Sequence, residues 1–187
     1  MRVRVRALAF AALVSAAAPA WAETYTIARV QFEAPERFTR DDGPPRPNAP
    51  FLRLRNGART DPMSEFIEAM SGPEAAMSSL FTRETYAAVA LGPANVFCMR
   101  SQVLRNTTRQ VGEAFIVDVG YVCYDHSRQP QFSRQVVRTQ AVFLGGAVTT
   151  FMFVRVWLDQ PHPDDALTPE QWMAQTDSIA ASIAPAP

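Results

Sequence analysis

Residues 148–158, VTTFMFVRVWL, are the most apolar strand candidate in the sequence and decide its fold. Successive side chains of a strand point to opposite faces, and here both faces are apolar. The two sets are Phe151, Phe153 and Trp157 on one face and Met152, Val154 and Val156 on the other. A strand with two apolar faces is covered on both sides. The stretch therefore predicts a central strand of a sheet that is packed between two layers.

The segments on either side of this strand predict antiparallel neighbours. Gly145-Gly146 makes a two-residue turn that connects it to a partly alternating strand, Arg134 to Leu144. Pro161-His162-Pro163 stops the strand from continuing, because proline cannot donate to the ladder. Further upstream, Ala94 to Arg105 and Glu113 to Asp125 are expected to pair as a hairpin. The second half of the sequence thus predicts an antiparallel meander.

The two cysteines, Cys98 and Cys123, fall in the two strands of that hairpin. A hairpin centred near residues 110–111 sets them opposite each other, where Cβ atoms lie about 4.5–5.5 Å apart. That separation needs only a modest adjustment to reach disulfide geometry. We therefore expect a Cys98–Cys123 disulfide, which also suits an oxidising compartment. The alternative is two free thiols, one of which acts as a nucleophile.

Short strands are predicted at the start of the chain. Glu23 to Glu33 alternates and then changes parity at Val30, which predicts a single strand with a bulge. A turn-rich loop, 39–50, carries four prolines. Phe51 to Arg55 then predicts a second, short strand that mixes apolar and basic residues. From about Ala87 onward the chain is expected to be rich in strands.

Helices are predicted in two places. The first begins at the N-cap Asp61, with Pro62 at its first position. Its apolar stripe recurs at helical spacing and consists of Met63, Phe66, Ile67 and Met70. A further helix is expected to bury Met77, Leu80 and Phe81. The final helix has a capping box made by Thr168 and Gln171, with Pro169 at its first position, and is expected to end near Ala184 before a frayed tail.

This order of elements resembles the PsbP-like fold, an antiparallel sheet sandwiched by helices. The resemblance rests on the early stretch Val30 to Pro35 (VQFEAP) and on the final helix, Trp172 followed by Ser178 to Ile183. It implies an α+β fold and adaptor, chaperone or accessory roles rather than catalysis. The alternative fold is a cone-shaped domain similar to nuclear transport factor two, which usually lacks a long helix after the last strand.

Residues 1–22 read as a secretory signal peptide, with arginines at the start, an apolar run and Ala20-Trp21-Ala22 as the cleavage site. Cleavage following Ala22 leaves a single α+β domain, residues 23–187, in the periplasm or secreted medium. It also removes three arginines and no carboxylate, which leaves a net charge of −3. A slightly acidic chain without a second long apolar run predicts no nucleic-acid binding and no stable membrane insertion. The lysine-free composition is associated with GC-rich bacterial genomes.

The composition excludes several kinds of chemistry. All 18 basic residues are arginine, so a Schiff-base lysine and a Walker A lysine are both absent. The two histidines, His126 and His162, are too few for a zinc site with three histidines. Cys123, Asp125 and His126 lie close in sequence, but residues at these spacings on a strand do not face one way. The sequence therefore predicts no metal and no cofactor.

One local strip is a candidate for binding. Phe51, Arg53, Arg55 and Arg59 combine an aromatic ring with guanidinium groups that can bind a carboxylate in bidentate fashion. We take these four residues as a candidate partner-binding surface. The alternative interpretation is a solvated edge strand that is protected from aggregation by its charges.

The resulting expectation is an exported, non-enzymatic protein that binds a protein partner in an accessory, assembly or inhibitor role. Two alternatives stay open. One is a small secreted hydrolase or thiol enzyme that uses His126 or His162. The other is a protein that binds a small apolar ligand between the sheet and the predicted Met63–Met70 helix.

Overall fold

A computed structural model describes residues 22–41, 50–57, 65–74, 82–128, 132–158 and 167–187. Ten strands and three helices lie in these ranges. The strands are β1 (Ala22–Ile27), β2 (Val30–Pro35), β3 (Phe38–Arg40), β4 (Phe51–Asn56), β5 (Glu65–Pro73), β6 (Cys98–Val111), β7 (Ala114–His126), β8 (Phe132–Leu144), β9 (Ala147–Leu158) and β10 (Ala184–Pro185). The helices are α1 (Tyr86–Phe97), α2 (Pro169–Gln175) and α3 (Asp177–Ser182).

The centre of the fold is a seven-stranded antiparallel sheet in the order β3-β4-β5-β9-β8-β7-β6. The apolar stretch 148–158 lies within β9, which has three strands on each side of it. Phe151, Phe153, Trp157, Val154 and Val156 are all buried, so the predicted central strand covered on both faces is confirmed. The Gly145-Gly146 turn is also confirmed, and both glycines have positive φ.

Two layers cover the two faces of this sheet. One face packs against α2, α3 and a small sheet of order β1-β2-β10, and its core includes Phe32, Trp172 and Ile179. The other face carries α1, whose Tyr86 packs on residues of β7, β8 and β9. The predicted antiparallel sheet between helical layers is therefore confirmed.

The stretch Glu23 to Glu33 is a hairpin rather than one bulged strand. β1 and β2 pair antiparallel through a turn at Ala28-Arg29, with Ile27 opposite Val30. Ala28 has φ 51°, the left-handed conformation that a two-residue hairpin turn requires. The change of parity at Val30 thus marks a reversal of the chain.

The predicted Met63–Met70 helix is wrong, because residues 65–73 form β5. β5 is paired on both sides, with β4 and with β9. Glu65, Ile67, Ala69 and Ser71 are buried at alternate positions. In a short apolar run the helical and extended spacings overlap, and the two neighbouring strands decide between them. Asp61-Pro62 and the predicted helix with Met77, Leu80 and Phe81 lie outside the described residues.

The predicted strand Ala94 to Arg105 begins too early, because α1 continues to Phe97 and β6 begins at Cys98. Gly92 and Pro93 lie inside α1, where they are usual signals of a break. Tyr86 and Ala94 are buried against the sheet, so packing outweighs the local signal. The expectation of strands from Ala87 onward is therefore wrong for the helix.

The C-terminal capping box is confirmed. Thr168 Oγ1 accepts from the backbone N–H of Gln171, and the Gln171 side chain accepts from the backbone N–H of Thr168. The helix divides at Thr176 and ends at Ser182, earlier than expected. The tail is not frayed: β10 pairs with β2, and the Ala186 N–H donates to the Arg29 carbonyl. The chain end thus closes the small sheet.

Candidate protein-binding surfaces

The predicted binding strip lies on one face of β4. Arg53 Nε donates to Glu68 Oε1 at 2.7 Å, and Arg55 Nε lies 3.2 Å from Asp41 Oδ2. The Arg53 guanidinium also stands 5.9 Å from the ring centre of Phe51. The carboxylates of the chain itself therefore already pair with the two guanidinium groups. Arg59 lies outside the described residues.

Phe51 borders two concave regions. One is a cleft of about 600 Å³ between β1 and the β3–β4 pair, where an edge of the small sheet faces an edge of the large one. Tyr25 and Arg40 line it, and the Tyr25 hydroxyl donates to Glu23 Oε2 at 2.7 Å. Burial, together with the nearby Glu23 carboxylate, raises the pKa of Tyr25 to about 12. The cleft is therefore mixed in polarity.

The other concave region is a cavity of about 220 Å³ on the α1 side of the sheet. Its lining includes Met70, Tyr86 and Met152, together with Glu68. The predicted ligand site between the sheet and a Met63–Met70 helix is wrong in its location, because that segment is β5. Met70 nevertheless borders this cavity from the sheet itself.

A third surface was missed by sequence reasoning. Among the described residues, three large apolar side chains are strongly exposed: Val96 (69%), Met99 (75%) and Val103 (52%). All three fall within residues 96–103, at the junction of α1 with β6. Together with Arg100 they define what we call the β6 edge surface. The sequence marks this stretch only as part of the predicted strand Ala94 to Arg105, and the structure alone shows that the three side chains are uncovered.

A disulfide bond joins the strand that carries the β6 edge surface to the neighbouring strand. α1 runs directly into β6, and Cys98, the first residue of β6, forms a disulfide with Cys123 of β7. The predicted pairing is present, but the expected register is wrong: the hairpin turns at Gly112-Glu113, and Cys123 pairs with Ser101. The bond thus joins residues that are three positions apart in the ladder, Cys98 being opposite His126, and their Cα atoms are 5.3 Å apart. Both cysteines are consumed, so the chain has no free thiol.

Rings and guanidinium groups surround the same end of the hairpin. Arg128 stands 4.3 Å from the ring centre of Phe97, which stacks on His126 at 5.9 Å. Arg100 stands 5.2 Å from the ring centre of Tyr124 and 3.6 Å from Asp125. The surface beside the apolar residues is therefore basic and aromatic.

The side chain of His126 forms a hydrogen bond within its own turn. Its Nδ1 accepts from the Arg128 backbone N–H at 3.2 Å, so this nitrogen is occupied locally. His162 lies outside the described residues. Within the described ranges, no group of three or more His, Cys, Asp or Glu side chains is placed to hold a metal ion. In the same ranges, no helix combines the length and the apolarity needed to cross a bilayer.

Comparisons with known proteins identify the fold. No protein-family model matches the chain, and no curated protein sequence matches it either. Among solved structures, it is similar to cyanobacterial PsbP (CyanoP) from Synechocystis sp. PCC 6803, with 11% identity, a TM-score of 0.55, and 91% of this chain and 96% of that chain covered. It is also similar to the Ran-binding protein Mog1p of Saccharomyces cerevisiae, with 10% identity, a TM-score of 0.58, and 87% and 94% of the two chains covered.

At sequence identities this low, the similarity is evidence for a shared fold and not for a shared function. The C-terminal helices distinguish between the two folds predicted from the sequence. Here they follow the last long strand, β9, which agrees with the PsbP-like arrangement. The chain therefore has the α+β fold, an antiparallel sheet flanked by helices, that PsbP and Mog1 share.

Proposed function

We propose that this chain is an exported, non-enzymatic protein that acts by binding a protein partner in an accessory, assembly or inhibitor role. The observation that carries the proposal is the β6 edge surface. Large apolar side chains exposed together usually mark an interaction site. Three such side chains, Val96, Met99 and Val103, are exposed close together in sequence. They lie at the junction of α1 and β6, which the Cys98–Cys123 disulfide joins to β7.

The fold likeness supports the same class of function. One of the similar structures is described as a Ran-binding protein, so this fold is used elsewhere for binding a protein. A fold alone does not assign a function, and the partner of this chain must be identified by its own surface.

Export is supported by the signal-peptide pattern of residues 1–22 and by the disulfide. Of that segment, residues 1–21 lie outside the described residues, and Ala22 is the first residue of β1. Cleavage following Ala22 therefore leaves β1 almost intact and releases residues 23–187 as one domain into the periplasm or medium. N-terminal sequencing of the exported protein is expected to begin at Glu23; a start at Met1 would contradict export by cleavage.

The test of partner binding uses a charge-adding variant of the mature protein, Met99→Glu with Val103→Glu. Both side chains are exposed, so the variant is expected to fold normally and to lose the partner that the wild-type protein recovers from its own cells. The matched control is Gln175→Glu with Ser178→Glu, two exposed positions on α2 and α3, the helices that pack on the face of the sheet opposite α1. Equal partner recovery by both variants would contradict the proposal.

The predicted strip remains a second proposed contact surface. Its proposed contribution comes from Phe51 and Arg55, because among the described residues Arg55 pairs with Asp41 alone and is the more exposed of the two arginines, whereas Arg53 pairs with both Glu68 and Asp41. Arg55→Glu tests it, because Arg55 is 40% exposed and the reversed charge would repel an acidic partner. Recovery of the partner by Arg55→Glu at the wild-type level would remove the strip from the interface.

A second candidate function is the binding of a small apolar ligand in the cavity beside Met70, Tyr86 and Met152. Its volume of about 220 Å³ suits only a small molecule. Native mass spectrometry of the mature protein tests this, and Met152→Trp, which fills the cavity, serves as the control. A mass equal to that of the bare chain would contradict it.

A further inference from the structure

The open edge of the seven-stranded sheet lies beside the exposed apolar residues. β6 has 14 residues, and among the described strands it pairs only with β7. The opposite edge of the sheet, β3, has three residues. Edge strands usually avoid pairing with other chains by being short or by carrying charges, prolines or bulges. The segment Cys98–Val103 carries one arginine and no proline, and the bulge of β6 follows it, between Val103 and Arg105.

The two halves of β6 differ in how they are covered. In the second half, Arg105 Nη2 lies 2.8 Å from Asp177 Oδ1, and Arg109 Nη2 donates to the Ala180 carbonyl at 2.7 Å, so these side chains bind α3. In the first half, every residue from Met99 to Val103 is exposed. Among the described residues this half therefore has an unpaired backbone edge and exposed side chains on both faces. An added strand would pair with the edge and set its own side chains beside those of β6 on each face.

The side chains of this half are sorted by face. Ser101 pairs with Cys123 and Val103 with Tyr121, and both of those partners lie in the cluster beneath α1. Directly paired residues share a face, so Ser101 and Val103 lie on the α1 side, and the alternation of side chains along the strand assigns Met99 to the same side. Arg100 lies on the other side, where it is 74% exposed. One face of the edge is thus apolar and the other basic.

A second copy of this chain is a poor occupant. β6 carries Arg100, Arg105 and Arg109 and no carboxylate. Two such strands paired together would bring arginines from both copies into one ladder, where like charges destabilise pairing. A strand that carries an acidic residue suits the same edge better.

We propose that an extended segment of the partner protein adds to the Cys98–Val103 half of β6 as an eighth strand. This inference rests on the proposed function and names the form of the partner. The added strand places apolar side chains beside Met99 and Val103 and a carboxylate beside Arg100. Its backbone supplies the ladder, and the alternating side chains supply the specificity.

Photocrosslinking from single positions tests the geometry. A photoreactive amino acid is placed in the full chain at Met99, Arg100, Gln102 or Val103, in cells that produce the protein. An added strand lies beside β6 in the plane of the sheet and places side chains on both faces, so crosslinks are expected from even-numbered and odd-numbered positions alike. Baits at Met99 and Val103 are expected to map to residues about four apart in one extended segment, as the spacing of paired strands requires.

The outcomes separate this inference from the proposed function. Crosslinks from Met99 and Val103 alone would overturn strand addition, since they indicate docking onto one face only. Crosslinks to a second copy of the chain would overturn the choice of occupant. A partner captured from a bait at Arg55 but from none of the four positions would overturn this site and leave partner binding intact. No capture from any of the five baits would overturn both.

The acidic side chain of the partner is tested by Arg100→Glu, with Arg100→Lys as the conservative control. Arg100 is exposed, so both variants are expected to keep the wild-type melting temperature. The crosslink yield from Met99 is expected to fall about tenfold in Arg100→Glu and to stay near the wild-type level in Arg100→Lys. An unchanged yield in Arg100→Glu would overturn the assigned carboxylate.

Discussion

At the residue scale, a buried arginine joins the sheet to the C-terminal helices. Arg138 is 2% exposed, and its Nε and Nη2 donate to the two carboxylate oxygens of Asp118 at 2.9 and 2.5 Å. Its Nη1 donates to Thr176 Oγ1 at 2.9 Å and to Asp177 Oδ1 at 2.8 Å. The guanidinium is thus satisfied on both sides, as a buried charge must be.

Replacing Arg138 with methionine is expected to lower the free energy of unfolding by about 3–5 kcal/mol, because it leaves Asp118 buried without its bidentate partner. The matched control is Arg100→Met, whose exposed ion pair with Asp125 is worth at most about 1 kcal/mol. Urea unfolding of the mature protein measures both changes. Equal losses in the two variants would contradict the assigned role of Arg138.

The buried tyrosines predict a loss of stability at high pH. Burial raises the pKa of Tyr86 to about 12, and burial likewise raises the pKa of Tyr121 to about 12. In the unfolded chain a tyrosine ionises near pH 10. Since the folded state binds these protons more tightly, its stability is fully present below about pH 10 and is lost as the pH rises toward 12.

Tyr121→Phe is expected to make this decline shallower, because phenylalanine has no proton to lose. Urea unfolding between about pH 8 and about pH 12 measures the slope, and the near-ultraviolet absorbance of the phenolates reports their ionisation in the folded protein. Phenolates of these two residues that appear near pH 10 before unfolding would contradict the shifted pKa values.

At the scale of elements, the α1–β6–β7 unit depends on its disulfide. α1 passes into β6 without a linker, and the bond between Cys98 and Cys123 closes a loop with a sequence separation of 25 residues. A crosslink of this span stabilises the fold mainly by restricting the unfolded chain.

The double variant Cys98→Ala and Cys123→Ala is expected to lower the free energy of unfolding by about 3–4 kcal/mol, from the loop entropy that the crosslink removes. Urea unfolding of the variant measures this change, and dithiothreitol treatment of the wild-type protein is the independent comparison. A loss below about 1 kcal/mol in both samples would mean that the hairpin and α1 hold together without the bond.

The turn between β8 and β9 depends on backbone conformation rather than on space. Gly146 has φ +75° and no atom within 4 Å of the position that an added Cβ would take, whereas Gly72 has equal space without a positive φ. Gly146→Ala is therefore expected to cost about 1–2 kcal/mol, and Gly72→Ala to cost nothing measurable. Thermal unfolding compares the two variants. Equal effects would contradict a conformational origin.

At the scale of the whole molecule, a buried carboxylate connects the layers. Glu65 of β5 is 3% exposed and accepts from Asn56 at 2.9 Å and from Trp172 Nε1 at 3.2 Å. Arg155 Nη1 lies 3.5 Å from Glu65 Oε2. Strands β4, β5 and β9 and helix α2 thus meet at one group, which positions the C-terminal helices on the sheet.

Trp172→Phe is expected to lower the free energy of unfolding by about 1–3 kcal/mol beyond the loss from reduced packing, because Glu65 loses a donor. Trp157→Phe is the matched control: Trp157 is similarly buried, but its Nε1 has no hydrogen-bond partner among the described residues. Urea unfolding measures the difference between the two variants. A larger loss in Trp157→Phe would contradict the contribution of the Glu65 contact.

Features made by residues close in sequence were predicted correctly, and features decided by residues distant in sequence were not. The capping box of Thr168 and Gln171 and the turn at Gly145-Gly146 were predicted correctly, because residues a few positions apart make them. Glu65–Pro73 and Tyr86–Phe97 were predicted wrongly, because neighbours distant in sequence select their conformation. Of the candidate surfaces, the β4 strip was visible as a pattern, whereas the β6 edge was not.

The sequence by itself determined the central position of β9, since a strand with two apolar faces is stable only between two layers. It also limited any disulfide within the chain to Cys98 and Cys123, since there are no other cysteines, and the structure shows that the bond forms. Only the tertiary structure decided that Met99 and Val103 stay exposed while the equally apolar Phe151 and Phe153 are buried. The physical reason is that burial depends on the position of a strand in the sheet, and β6 lies at the edge, where no described element covers its first half.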